Sequence, residues 1–305
     1  MRHATNARDT ITRRRSVELL GAGFFMTTTL GVGHAGDKFN TAPKVLFFSK
    51  SSSYEHDVVK RTDKAPSLAE TILTEIGRTH GFDVIATKDG RVFDSDLAQY
   101  DAFFFFTSGN LMDAGTDKTP PMSAQGKEAL LAAIRDGRGF VGVHSASDTF
   151  HSKGSRFETQ QQPDPYIAML GGEFLSHGSQ QEAHVKVVDA TFPGLRGLGE
   201  NFTVMEEWYS LKNFSKDNHV LLALETAGMH DPDYKRPSFP IAWVRKEGKG
   251  RVYYNAMGHR EDIWMSERFH HMLAGAVAWA TGRADAELDE NMSVTTPQAW
   301  VMPPR

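Results

Sequence analysis

The chain holds thirteen histidines and no cysteine. Metal or acid/base chemistry must therefore run through imidazole, carboxylate and water, a donor set that suits a divalent metal such as zinc, while thiolate chemistry and disulfides are excluded. Three histidines stand out. His144 ends the run Gly139-Phe140-Val141-Gly142-Val143-His144-Ser145-Ala146-Ser147-Asp148-Thr149, His56 lies in Tyr54-Glu55-His56-Asp57, and His259 lies in Gly258-His259-Arg260-Glu261. Imidazole titrates near neutrality and ligates metal when neutral. The set therefore admits two readings: His144 and His259 as acid/base groups with Glu261, or His56, His144 and His259 as metal ligands. No compact signature such as His-Glu-x-x-His is present, so a shared ion depends on the fold bringing the three together. Otherwise the same rings hydrogen-bond to Asp57, Asp148 and backbone carbonyls. His177 and Glu207 are further candidates, whereas His270-His271 sits in a helical stretch and reads as structural or solvated.

The elements that must position these residues follow from the patterning. Phe140, Val141 and Val143 read as a buried parallel strand, Ser147 and Asp148 offer N-cap oxygens for a following helix, and Gly142 suits a tight strand-to-helix elbow. The elbow presents an imidazole. A glutamine-hydrolysing elbow needs a thiol, and a serine-hydrolase elbow, Gly-x-Ser-x-Gly, would need a serine where His144 stands. Earlier strands are expected at 44–49, 82–87 and 101–106. A helix carrying Leu68, Ile72, Leu73 and Ile76 should end at Gly77 or Gly81, and another over 122–135 should be capped by Ser123 and stopped by Gly137. This alternation predicts an α/β fold with a mostly parallel, doubly wound sheet flanked by helices. Right-handed crossovers put the carboxyl ends of the strands on one rim, where His56, Thr107-Ser108-Gly109-Asn110 and His144 converge. Further on come a polar loop over the crevice (151–164), a short helix (165–170), strands at 183–188, 202–209 and 219–224, a hairpin (240–245 with 251–255), a last helix, and an extended or disordered tail (287–305).

With 305 residues and 40% hydrophobic composition, the chain is long enough for one large domain, expected over 37–286. A net charge of -4 gives no basic field for nucleic acid, so no nucleic-acid partner is expected. Residues 1–36 resemble a twin-arginine export signal: Arg13-Arg14-Arg15-Ser16-Val17-Glu18-Leu19-Leu20, a mild apolar run over 19–32, then small residues with cleavage expected after Ala35. That run is short for a bilayer span, so the expectation is a periplasmic or secreted protein without stable membrane insertion.

The motifs in order, His56-Asp57, Gln99-Tyr100-Asp101-Ala102, the Gly139–Thr149 run, Phe174-Leu175-Ser176-His177, Glu207-Trp208-Tyr209, Pro240-Ile241-Ala242-Trp243, Gly250-Arg251-Val252-Tyr253-Tyr254 and Gly258-His259, resemble the trehalose-utilisation (ThuA-like) family over about 44–282. The chain departs from that family's pattern at Glu55, where Arg is frequent, and at Phe239, where His is frequent. The resemblance implies a flavodoxin-like, class I glutamine amidotransferase-like fold and a role in carbohydrate metabolism around disaccharides, glycosides or keto-sugars. By analogy with the amidotransferase elbow, His259 and Glu261 would serve His144 across one pocket. A small-molecule carbohydrate would meet Trp208 and Tyr209 as flat stacking faces and Ser108, Asp148 and Glu207 as polar partners. The alternative is a sugar-binding or accessory protein that kept the pocket without the thiol.

Overall fold

The structure is a computed structural model that describes residues 41–304 apart from Lys64; the segment read as an export signal lies outside the described residues. Its backbone is a nine-stranded sheet in the order β2-β1-β3-β4-β11-β10-β9-β6-β7. One half is parallel: β1 (Lys44–Phe48), β2 (Asp83–Thr87), β3 (Ala102–Phe105), β4 (Gly139–Val143) and β11 (Gly250–Asn255). The other half is antiparallel: β10 (Phe239–Glu247), β9 (His219–Glu225), β6 (Gln181–Val187) and β7 (Asn201–Glu206). A separate antiparallel pair joins β5 (Glu173–His177) to β8 (Tyr209–Lys212).

Uniformly apolar runs make the central strands. The sequences AFFF of β3 and GFVGV of β4 are buried throughout, as strands covered on both faces must be. Helix α1 (Leu68–His80) opens with a capping box between Ser67 and Glu70 and ends on Gly81, whose φ of 78° is a left-handed cap. It packs beside α5 (Glu267–Ala280), while α2 (Ala124–Arg135) and α3 (Pro165–Leu170) pack together across the sheet.

Three expectations are corrected. Two 3₁₀ turns, Gly90–Asp94 and Leu97–Gln99, connect β2 to β3 in place of a helix. No long helix follows the elbow: residues His144–Asp148 form a 3₁₀ turn in which Ser147 and Asp148 lie inside rather than at an N-cap. The tail is held in place. Asn291 bonds both backbone groups of Val220 where β6 has already ended, Arg236 donates to the Ala299 carbonyl, and Met292 and Ala299 are fully buried.

Candidate metal centre

Each of the three histidines leaves the carboxyl end of a parallel strand: His56 after β1, His144 directly after β4, and His259 shortly after β11. The turn at His144 is sharp, and its φ of 46° lies in the left-handed region that non-glycine residues avoid. The strain is held by its surroundings. Tyr254 on the neighbouring β11 donates its hydroxyl to the His144 carbonyl (2.8 Å), and His144 Nδ1 donates to the Ala256 carbonyl (2.8 Å). Gly142 therefore does not make the elbow. It lies in the strand, where a Cβ would press on Leu170 and Ala146 at 3.1 and 3.2 Å. Gly258 does need its freedom, since its φ is 120° and a Cβ would lie 2.9 Å from Val143.

His56, His144, His259 and Glu207 bring one ligating atom each to within 4.8 Å of one another. The imidazole centroids lie 4.9 to 5.4 Å apart. The Nδ1–H bond to Ala256 fixes the tautomer of His144, so its Nε2 carries a lone pair into the cluster, as expected of a metal-ligating histidine with an outer partner. Three buried ring nitrogens, His56 Nδ1, His144 Nε2 and His259 Nδ1, have no hydrogen-bond partner. Glu207 Oε2 is 3.6 Å from His144 Nε2, too long for a hydrogen bond, and 3.0 Å from His259 Nδ1 but poorly aligned with it. Of the alternative partners expected for these rings, Asp57, Asp148 and backbone carbonyls, His144 Nδ1 meets a backbone carbonyl, that of Ala256, and its Nε2 stays unpaired.

The electrostatics agree. Burial, then the neighbouring His144 and His259, push the His56 imidazole well below its usual range, so it is neutral with a free lone pair. Burial opposes ionisation of Glu207, but the interactions with His144 and His259 outweigh it and hold the carboxyl well below the usual carboxylate range. Burial likewise lowers His259, and Glu207 reverses the direction to a net rise. Behind the cluster, buried Glu206 accepts from the backbone N–H of Glu207 (2.7 Å) and of Gly258 (2.8 Å), fixing the two segments that carry ligands. Three imidazoles and a carboxylate around one point form a donor set that fits a divalent ion such as zinc.

The remaining candidates divide. Asp148 faces a cleft of about 860 Å³ beside the cluster, together with Tyr209, whose ring packs on His144 at 4.0 Å. Trp208 offers no stacking face: it is fully buried and its indole N–H donates to the Gln181 carbonyl. Ser108 is also buried and donates to the Tyr54 carbonyl, so it braces the His56 loop instead of meeting a ligand. Glu261 is exposed at the start of α4 (Glu261–Trp264), which carries it outward; Glu207 is the carboxylate in contact with His259. Glu55 pairs with buried Lys88. Two cleft residues were not singled out from the sequence. His151 sits between Asp148 (2.7 Å) and buried Glu173 (3.2 Å), and the Arg156 guanidinium lies over Phe174.

An open α/β sheet of flavodoxin-like, amidotransferase-like design, with an imidazole at the elbow where a thiol would stand, defines the class. The chain belongs to the ThuA family, described as trehalose utilisation, whose model matches residues 44–280. It is similar to a ThuA-like protein from Bacteroides uniformis, with a TM-score of 0.58 at 21% identity over 78% of this chain and 92% of that one. A ThuA-like protein from Parabacteroides merdae gives 0.57 at 17% identity over 81% and 92%. At such identities these likenesses speak for the fold. No curated protein matches the chain.

Proposed function

We propose that the chain is a divalent-metal enzyme of carbohydrate metabolism that acts on a disaccharide, glycoside or keto-sugar derivative and works in the periplasm after twin-arginine export. The observation that carries the reading is the cluster of His56, His144, His259 and Glu207, whose ligating atoms lie within 4.8 Å of one another and each of whose histidines holds a buried, unpaired ring nitrogen. Buried polar atoms are almost always paired, so three orphans in one cluster call for a group that accepts them. A bound divalent ion supplies Lewis acidity toward a sugar carbonyl or hydroxyl oxygen.

The chain's own residues do the rest. Tyr209 and Phe174 present aromatic surface to the cleft, and Asp148 offers an acceptor for sugar hydroxyls. His151 has a carboxylate on each ring nitrogen. Hydrogen bonds from its ring N–H groups to Asp148 and Glu173 outweigh burial and push it up to about 9, so it stays an imidazolium and clamps Asp148 in place. Exposed His177, 3.4 Å from Glu207, lies at the cleft edge, where it can exchange a proton with substrate.

The test is elemental analysis of protein purified without a histidine tag, followed by assays on disaccharides and their keto forms with and without chelator, with His144→Ala alongside. Stoichiometric metal and chelator-sensitive turnover lost in the variant are expected. Full activity in metal-free protein overturns the metal role, and sugar binding without turnover in either state overturns the enzyme reading.

A further inference from the structure

Away from the histidines, a buried cation stands without a counter-charge. Arg236, just before β10, is only 6% exposed. Its Nη1 donates to the Ser210 hydroxyl (3.0 Å) and the Leu211 carbonyl (2.6 Å), and its Nη2 to the Ala299 carbonyl. A guanidinium has further N–H groups to place, and here the buried Nε has no partner. Among the described residues no carboxylate bears on it: burial alone acts on the guanidinium and pulls it down to about 10. The ring of Phe239, 4.4 Å away, offsets part of the cost of burying the charge. Buried charges are ordinarily paired with an opposite one, so this cation lacks the partner that its burial calls for.

Arg236 lines a depression of about 570 Å³ between the start of β10 and the tail, which shares no lining residue with the histidine cleft. The two walls differ in charge. Asp148 and Glu207 line the cleft, whereas the wall at Arg236 contains no acidic residue and gains a second cation from exposed Lys235. Ser238 and Gln298 also line it, and their side chains have no hydrogen-bond partner among the described residues. Gln298 precedes Ala299, the residue that Nη2 reaches, so the guanidinium lies on the tail side of the depression. Two cations with neutral polar groups and no carboxylate match an oxyanion: a guanidinium edge can take two oxygens at once, and an ammonium on a flexible stem can take a third. The volume lies within the about 300–1,000 Å³ of small-molecule sites, and Pro237 and Pro297 add apolar surface for an organic remainder.

We propose that this depression is an oxyanion site that takes phosphate, free or as the monoester of a small organic molecule, between Lys235 and Arg236. The site is separate from the histidine cluster and depends on neither the metal nor the carbohydrate reading.

Calorimetry on the full chain tests it, with inorganic phosphate and glycerol 3-phosphate as the probes. At least one should bind with a dissociation constant at or below about 1 mM. Lys235→Ala should weaken binding at least about fivefold, and Arg236→Lys, which keeps the charge and loses the fork, at least about tenfold. His144→Ala should leave binding unchanged, which separates this site from an anion held by a metal at the histidines. The thermal midpoint is measured on each variant, and because Lys235 is exposed its variant keeps the test open even where Arg236→Lys fails to fold. An ester that binds at least about tenfold more tightly than phosphate assigns the organic source, and any smaller difference assigns the free ion. If neither probe saturates, if Lys235→Ala binds as the unaltered chain does, or if binding disappears with His144→Ala, the oxyanion site is overturned and Arg236 serves only to brace the tail.

Discussion

Two histidine–carboxylate groups flank the same cleft and are built in opposite ways. In the Asp148–His151–Glu173 group every ring nitrogen has an acceptor, and Glu173 is further held by the Ser152 N–H, the Ser152 hydroxyl and Asn213. In the His56–His144–Glu207–His259 group the rings crowd together, three nitrogens are orphaned, and one residue sits in a strained left-handed conformation. The first group is complete as it stands and stabilises the protein. The second leaves ring nitrogens unpaired and holds a strained backbone, as functional sites do. Satisfaction of polar atoms, more than residue type, tells support from site.

The contrast can be broken by substitution. His144→Ala is expected to weaken zinc by more than about 100-fold, beyond what losing an outer partner does, while leaving the metal-free thermal midpoint level or raised; a competition titration against a chromophoric chelator reads the first and calorimetry the second. A steep fall in the metal-free midpoint would mean that the cluster supports the fold after all. Glu206→Ala should weaken zinc by about 10–100-fold, because the backbone at Glu207 and Gly258 loses its anchor. His151→Gln should leave zinc affinity unchanged and lower stability by about 1 kcal/mol or less, since His151 is partly exposed and Glu173 keeps other donors.

The smallest effect is in pH. The folded His151 value near 9 is raised above the ordinary 6.5, so its stabilisation is complete below about pH 6.5 and is lost as pH climbs through 9. Buried His56 has the opposite sign. Below pH 6.5 the unfolded chain takes up a proton that the folded ring resists, so metal-free stability declines toward acid. Melting the metal-free protein across pH should show both limbs, and His151→Gln should remove only the alkaline one.

The sequence revealed the parallel half and most strands of the antiparallel half, but not how all of its segments meet at the site. Runs such as Phe103-Phe104-Phe105 and the Gly139–Val143 strand can only be buried, and the rule that ligands gather at strand carboxyl ends then placed His56 beside His144, while His259 was placed opposite His144 by the resemblance to the amidotransferase elbow. Glu207 was harder to assign, because it lies in the short link between β7 and β8, strands of two different sheets whose meeting no local pattern encodes. Trp208 and Tyr209 are neighbours, yet only Tyr209 reaches the cleft: alternation sends successive side chains to opposite sides, and one sequence cannot say which side is wet. His151 was hidden in a polar loop whose partner, Glu173, follows a helix and a turn. The tail misled by composition, since its prolines suggested disorder while Asn291 was already shaped to extend the hydrogen bonding of β9.

The position of β11 has a consequence for how the protein comes to exist. The last strand to be synthesised occupies the middle of the sheet, paired with β4 on one side and β10 on the other. Until it arrives, the β1–β4 layer has an open edge at its centre, and closing it requires ordering the whole intervening chain, which makes the step entropically slow. His259 and the carbonyl of Ala256 arrive with that strand, and Tyr254 is part of it. The four-residue cluster therefore cannot exist in any partly folded species that lacks β11. In refolding kinetics, capture of zinc should follow the slowest phase and never precede it, so that metal uptake certifies a finished molecule.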